Sequence, residues 1–257
     1  MNILSKTLRH LRPAVLDSSD ESARLARLAI DTPRVRPIAL MPAIERMRER
    51  ILSASWLVRA NGHTYTIGFG LRRVTLLESG IGTPSAFYHA FGLAKGGARV
   101  ILRVDVCGGL SGDYRVGDMF IAEEAIAGDG FIRNRVGKKT LLADKSLVDL
   151  AVSVLSSSSY RYHRGRIITV DHFFNQSDEE HRQWGQTAQA VDMETSGLYL
   201  SAQECGVKAL SLLCISDVRL AGECFLSDPE NFPVWKYMSG LNHLLKAAKR
   251  MVTEIEI

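Results

Sequence analysis

The chain has 257 residues, 46% hydrophobic and 23% charged, with 32 Lys and Arg against 28 Asp and Glu for a net charge of +4. That suffices for one substantial core and excludes a collagen, a coiled coil, a disordered tail and a disulfide-stapled miniprotein. No apolar run reaches the roughly 20 residues of a membrane helix, and Arg9, His10 and Arg12 interrupt the place of a secretory apolar segment. No membrane partner and a cytoplasmic location are therefore expected.

In chain order, a helix is predicted from Ser18, with Glu21 three positions on, through Leu25 and Leu28 to the break at Pro33. A second helix is predicted over 43–52. Strands follow at 56–58 and 64–67, turned by Asn61 and Gly62, and at 74–77, running into Glu78-Ser79-Gly80-Ile81-Gly82. Pro84 suits the first turn of a helix over 84–93, whose Ala86, Phe87, Ala90 and Leu93 share an apolar face. Strands are predicted at 100–104 and 119–122, a helix at 145–155, a strand at 166–170, a helix at 188–203, a strand at 209–215 and a last helix from Val234 toward Val252. This alternation indicates an α/β layer architecture around a largely buried sheet. No repeat or composition break divides it, so a single domain over 1–257 is expected, with 1–33 as a peripheral extension.

Residues 1–60 hold 11 basic and 6 acidic side chains, and Arg34, Arg36, Arg46, Arg48, Arg50 and Arg59 are candidate phosphate holders. Aromatic side chains do not interleave with them, which argues against a nucleic-acid partner. Cys107, Cys205, Cys214 and Cys224 form no C-x-x-C pair, and His172 and His181 lack a third ligand at a recognisable spacing, so no metal and no cofactor are expected.

The glycines before the 84–93 helix place backbone amides where an anion is held, or simply make a tight turn. Arg103, at the end of a hydrophobic strand, can grip phosphate with its fork or pair with Asp105. Glu194 is read on the apolar face of its helix with Val191, Leu198 and Ser201, where ribose hydroxyls or a structural hydrogen-bond network can partner it, whereas Asp192 can point elsewhere. Asp217, beside Ser216 at the end of the 209–215 strand, can act as an acid toward a leaving base or cap a turn. Phe173 and Phe174 offer a stacking face or are core aromatics.

The stretches ESGIGTPSAF, ILRVDVCGGL, GDMFIAEEAIAGDG, VDMETSGLYLSA and LLCISDVRLAGE, in that order over most of residues 70–225, resemble the nucleoside phosphorylase superfamily of purine nucleoside phosphorylases, uridine phosphorylases and nucleosidases. The resemblance implies a three-layer fold with a central mixed sheet flanked by helices. It implies release of a purine base from a nucleoside or nucleotide, with inorganic phosphate as co-substrate and a pentose 1-phosphate as product. By the same resemblance Gly82 and Arg103 face the phosphate, helped by Arg34 and by Arg59 lent to a neighbouring subunit in a homodimer or a hexamer built from dimers. Met193 and Glu194 hold the ribose, Phe173 stacks on the base, and Ser216 with Asp217 are the purine-selective pair.

Two departures stand out: Asp105 where many relatives carry glycine, and Val106 where many carry a phosphate-binding hydroxyl. The early phosphate loop also lacks its glycine. LLCISDVRLAGE and CGGL are similar as well to the catalytic domain of AMP nucleosidase, which uses water, so a hydrolytic nucleosidase is the alternative. A non-catalytic nucleoside-binding protein is the alternative of a different class.

Overall fold

In the computed structural model, residues 20–137, 140–225 and 229–257 are described. The predicted helix start at Ser18 lies outside them. The first helix, α1 (Glu21–Ile30), is capped by Asp20, whose carboxylate accepts from the Ser22 amide. Its small buried face of Ala23 and Ala26, with Ile30, lies against α3 (Thr83–Lys95), where a Cβ on Gly92 would come within 2.7 Å of Ala29 and Ile30. Glycine at 92 thus permits the close approach of two helices.

Between them run β1 (Ile38–Leu40), α2 (Glu45–Ser53), β2 (Leu57–Asn61), β3 (Thr64–Phe69) and β4 (Arg72–Leu77). The chain continues with β5 (Val100–Gly109), β6 (Met119–Ala127), α4 (Gly130–Val136), β7 (Thr140–Leu142), α5 (Lys145–Ser156) and β8 (Tyr162–Thr169). It ends with α6 (Asp178–Gly185), β9 (Ala190–Asp192), α7 (Thr195–Cys205), β10 (Lys208–Asp217), a 3-10 turn (Arg219–Ala221) and α8 (Val234–Glu254).

The sheet order is β10-β6-β8-β9-β5-β1-β4-β3-β2, with β7 on β6, and β10 also pairs with β5 along its length. Strands β5, β9, β8, β6 and β10 therefore close on one another, and β1-β4-β3-β2 extends outward from β5. The long strand β5 is the seam, pairing with β1 through residues 100–102 and with β9 through Gly108 and Gly109. Side chains alternate across it. Val100, Leu102 and Val104 enter a core with α2, α5 and α8, while Ile101 and Cys107 enter a second core with α3 and α7. The result is the expected single-domain mixed sheet between helical layers, and it sends Arg103 and Asp105 toward the α3/α7 side.

One predicted element is corrected. The helix expected over 188–203 begins only at Thr195, and residues 190–192 form β9. Val191 pairs with Gly108 on one side and with Ile168 on the other. Ladder bonds to two strands outweigh the helical periodicity of this run, and Asp192 opens α7 by accepting from the Thr195 amide at 3.0 Å. Glu194 accordingly stands at the helix N-cap, not on a helical face with Val191.

Candidate active site

The chemistry concentrates on the α3/α7 side of β5. Arg103 is 2% exposed and is surrounded by acids: Glu194 Oε2 lies 2.5 Å from Nη2, Asp192 Oδ2 3.1 Å from Nη1 and Asp105 Oδ2 3.9 Å from Nη2. The expected competition from Asp105 is real, but Glu194 and Asp192 are the nearer partners. Asp192 does not point elsewhere, as its carboxylate also accepts from the Thr169 hydroxyl at 2.8 Å.

Burial works against the Arg103 charge, yet Glu194, Asp192 and Asp105 outweigh it and hold the guanidinium protonated beyond its ordinary range. Burial pushes Glu194 up from the usual carboxylate value while Arg103 pulls it down. Asp105 is likewise pushed up by burial, opposed by Arg103 and by the backbone amides it accepts from.

Those amides come from β5 and from the chain that leaves β1. Asp105 Oδ2 accepts from the Ala43 amide just beyond β1, and Oδ1 accepts from the Val106 amide at 2.9 Å. Glu194 Oε1 accepts from the Gly82 amide at 3.0 Å. Gly82 caps α3 with φ 98°, a conformation that suits glycine. Thr83 donates to the Met193 carbonyl at 3.1 Å, so the start of α3 is pinned to the start of α7. Val106 turns its side chain against the opposite core.

The second acid sits at the end of β10. The pairing of β10 with β5 slips between Ile215 and Asp217, and this bulge sets Asp217 opposite Gly108. A Cβ on Gly108 would lie 2.9 Å from Val191 Cγ1 and 3.3 Å from Asp217 Oδ2, so glycine lets the three strands meet. Asp217 and Val191 are thus both sheet neighbours of Gly108, and Glu194 follows Val191 by three residues. Desolvation pushes the Asp217 carboxyl up, while the Ser216 hydroxyl and the Arg219 charge oppose the rise. Ser216 Oγ lies 2.8 Å from Asp217 Oδ1 and 3.1 Å from the Cys107 carbonyl. A hydroxyl has one proton, so Ser216 shares it between the Asp217 carboxylate and the Cys107 carbonyl.

The other expected residues are more scattered. Phe173 is 47% exposed, edge-to-face with Phe174 at 5.4 Å, on the segment between β8 and α6. The first residue of α6 just beyond it, Asp178, is tied to the exit of β10 through Oδ1, 2.6 Å from Arg219 Nε. Arg34 is exposed and precedes β1, next to Val35, which bonds Gly96, whereas Ala43 and Arg103 lie beyond the strand's other end. It is not brought to Arg103 within this chain. Arg59 is exposed on the edge strand β2, four strands from β5, about 19 Å at the usual strand spacing.

Asp192 and Ala43 were not read from the sequence as site residues. The aspartate three positions before Thr195 carries a cap-type signal, but the amide of Ala43 carries none. Among the described residues no group of three or more His, Cys, Asp and Glu is placed to hold a metal ion, and no helix is long and apolar enough to cross a membrane.

The family model of the phosphorylase superfamily matches residues 37–255. A purine nucleoside phosphorylase of the DeoD type from Myxococcus xanthus is 32% identical over 197 residues, 72% of this chain and 82% of the relative. Among solved structures, a uridine phosphorylase from Vibrio fischeri superposes with a TM-score of 0.75 at 20% identity, covering 86% of this chain and 93% of that one. A futalosine hydrolase of Helicobacter pylori reaches 0.71 at 21% identity over 86% and 99%. Both structures share the fold, and their names show that it serves phosphorylases and hydrolases alike. With the family model spanning nearly all of the sheet and its flanking helices, the chain belongs to the phosphorylase superfamily.

Proposed function

We propose that this protein breaks the N-glycosidic bond of a purine nucleoside or nucleotide, transferring the pentosyl group and releasing the free base. The observation that carries the reading is Asp217, a half-buried carboxyl set by the β10 bulge opposite Gly108, whose desolvation pushes it toward its protonated form against the Ser216 hydroxyl and the Arg219 charge. As the C1′–N9 electron pair leaves with the purine, Asp217 gives its proton to N7. A positioned general acid of this kind contributes roughly 10²–10⁴-fold. Glu194 accepts hydrogen bonds from the pentose hydroxyls while Arg103 holds its carboxylate in place, Met193 packs against the sugar, and Phe173 covers the base. Purine rather than pyrimidine recognition is supported by the Ser216–Asp217 pair and by the name of the Myxococcus xanthus relative.

Two acceptors compete for the pentosyl group. Inorganic phosphate is the one that relative's name supports, with Gly82 and Arg103 as its holders, Arg34 as a further basic residue and Arg59 reaching the site of a second copy in a homodimer or a hexamer built from dimers. Water is favoured by the three carboxylates already on Arg103. The test is chromatography of purine nucleosides and nucleotides incubated with the protein, with and without phosphate. Free base is expected in at least one arm, and its absence from the whole panel leaves nucleoside binding without cleavage. A strictly monomeric mass in solution would remove Arg59 from the site.

A further inference from the structure

We propose that Asp105 is a resident anion which fills the oxyanion end of the site, so that water and not inorganic phosphate accepts the pentosyl group. The inference deepens the cleavage reading above and rests on it for the reaction, though not for the exclusion of phosphate. Alternation along β5 puts Arg103 and Asp105 on one face, and the chain leaving β1 passes directly beside them, Met41 donating to the Leu102 carbonyl at 2.9 Å. The anion-holding donors gathered there are the Ala43 and Val106 amides, the Gly82 amide at the head of α3, and the Arg103 guanidinium. Carboxylates of the chain already hold them: Asp105 takes the Ala43 and Val106 amides, and Glu194 takes the Gly82 amide and Arg103 Nη2.

Charge leads to the same conclusion. One guanidinium faces Asp105, Asp192 and Glu194, and Asp105 is 1% exposed. A phosphate dianion brought into that surrounding would meet like charge with little solvent to screen it. A neutral oxygen meets no such barrier and has donors waiting. Arg103 Nε and Nη1 are buried with no aligned hydrogen-bond acceptor among the described residues, Nη1 being close to Asp192 but not directed at it. A water or a sugar hydroxyl satisfies such donors without adding charge.

The step balances with water alone. The C1′–N9 bond breaks with its electron pair going to the base, which takes a proton from Asp217. The water oxygen supplies the pair for the new C1′–O bond. The proton that water loses replaces, through solvent, the one Asp217 gave, so the products are free base and free pentose.

The test uses the full chain, with calorimetric titration of inorganic phosphate alongside product analysis. Wild-type protein is expected to show no phosphate binding and the same rate of base release with and without phosphate, with free pentose as product. Asp105→Gly exposes the Ala43 amide and removes one negative charge, so phosphate affinity should rise at least about tenfold and pentose 1-phosphate should begin to form. Asp105→Asn, which removes the charge and keeps the bulk, should fall between the two.

A merely structural Asp105 predicts loss of stability in both variants and no gain of phosphate binding, so folded variants that ignore phosphate overturn the proposal. Phosphate binding or pentose 1-phosphate formation by the wild-type protein overturns it as well, and that measurement decides if both variants fail to fold. Wild-type protein that cleaves no nucleoside removes the cleavage reading alone, because the phosphate titration still decides whether Asp105 fills the oxyanion site.

Discussion

The two acidic regions of the site are built on opposite principles. Around Arg103, carboxylates outnumber cations and are held by an arginine, backbone amides and hydroxyls, so their charges are compensated by fixed donors. At the end of β10, Asp217 is half-buried, with one serine hydroxyl to share and an arginine two residues away. The first arrangement suits carboxylates that organise their surroundings, burial pushing Glu194 and Asp105 up and Arg103 pulling them back. The second suits an acid that keeps a proton to give away. A site that needs one group to hold a sugar and another to protonate a base is served by this separation.

The largest effect is expected from removing the cation that holds the first region together. Arg103→Met leaves buried carboxylates without their counter-charge and should cost about 3–5 kcal/mol of stability, read as a lowered denaturation midpoint. A variant as stable as the wild type would mean that the carboxylates are neutral without Arg103, and the contrast between the two regions would vanish.

Next in size is Asp217→Asn, which should slow base release by roughly 10²–10⁴-fold while leaving the fold intact. Its pH behaviour sharpens the comparison. Because the folded pKa of Asp217 is raised, the folded chain binds more protons than the unfolded chain between the ordinary carboxylate range and the raised value, so stability falls as pH rises across that window. The contribution is complete below the unfolded pKa. Denaturation measured at acid and neutral pH should show Asp217→Asn gaining relative stability toward neutrality, and the fall of wild-type turnover with rising pH should be absent in the variant.

Smaller effects separate the pieces around the leaving base. Phe173→Ala removes an exposed ring, so stability should hold while KM rises by up to about tenfold with kcat little changed. Ser216→Ala removes the hydroxyl that holds the Asp217 pKa down. The decline of turnover with pH should therefore move to higher pH, and the rate at its plateau should change by less than about tenfold. Movement toward lower pH would show that Ser216 stabilises the protonated acid instead.

Much of the fold was legible because it rests on local pattern. The branched run at 100–104, the Pro84 helix start and the long amphipathic α8 announce themselves whatever surrounds them. The three-residue strands β1 and β9 do not, since so short a run exists as a strand only when its neighbours supply the ladder. That is why residues 190–192 read as the beginning of a helix.

The same division runs through the site. The order and chemical types of Arg103, Glu194, Ser216 and Asp217, and the place of Ser216 and Asp217 at the end of a strand, follow from the linear chain, because residue type and local periodicity are local properties; that Arg103 lies within β5 and Glu194 at a helix N-cap does not. Which of them would be partners was decided by tertiary structure: the closure of β10 onto β5, the meeting of three strands at Gly108, and the passage of the β1 exit beside Asp105. Asp192 lies 89 positions from Arg103 and Ala43 lies 62 positions from Asp105, and no spacing rule spans such separations. A buried charge takes the donors that the folded sheet brings to it, and that pairing exists only once the strands have closed.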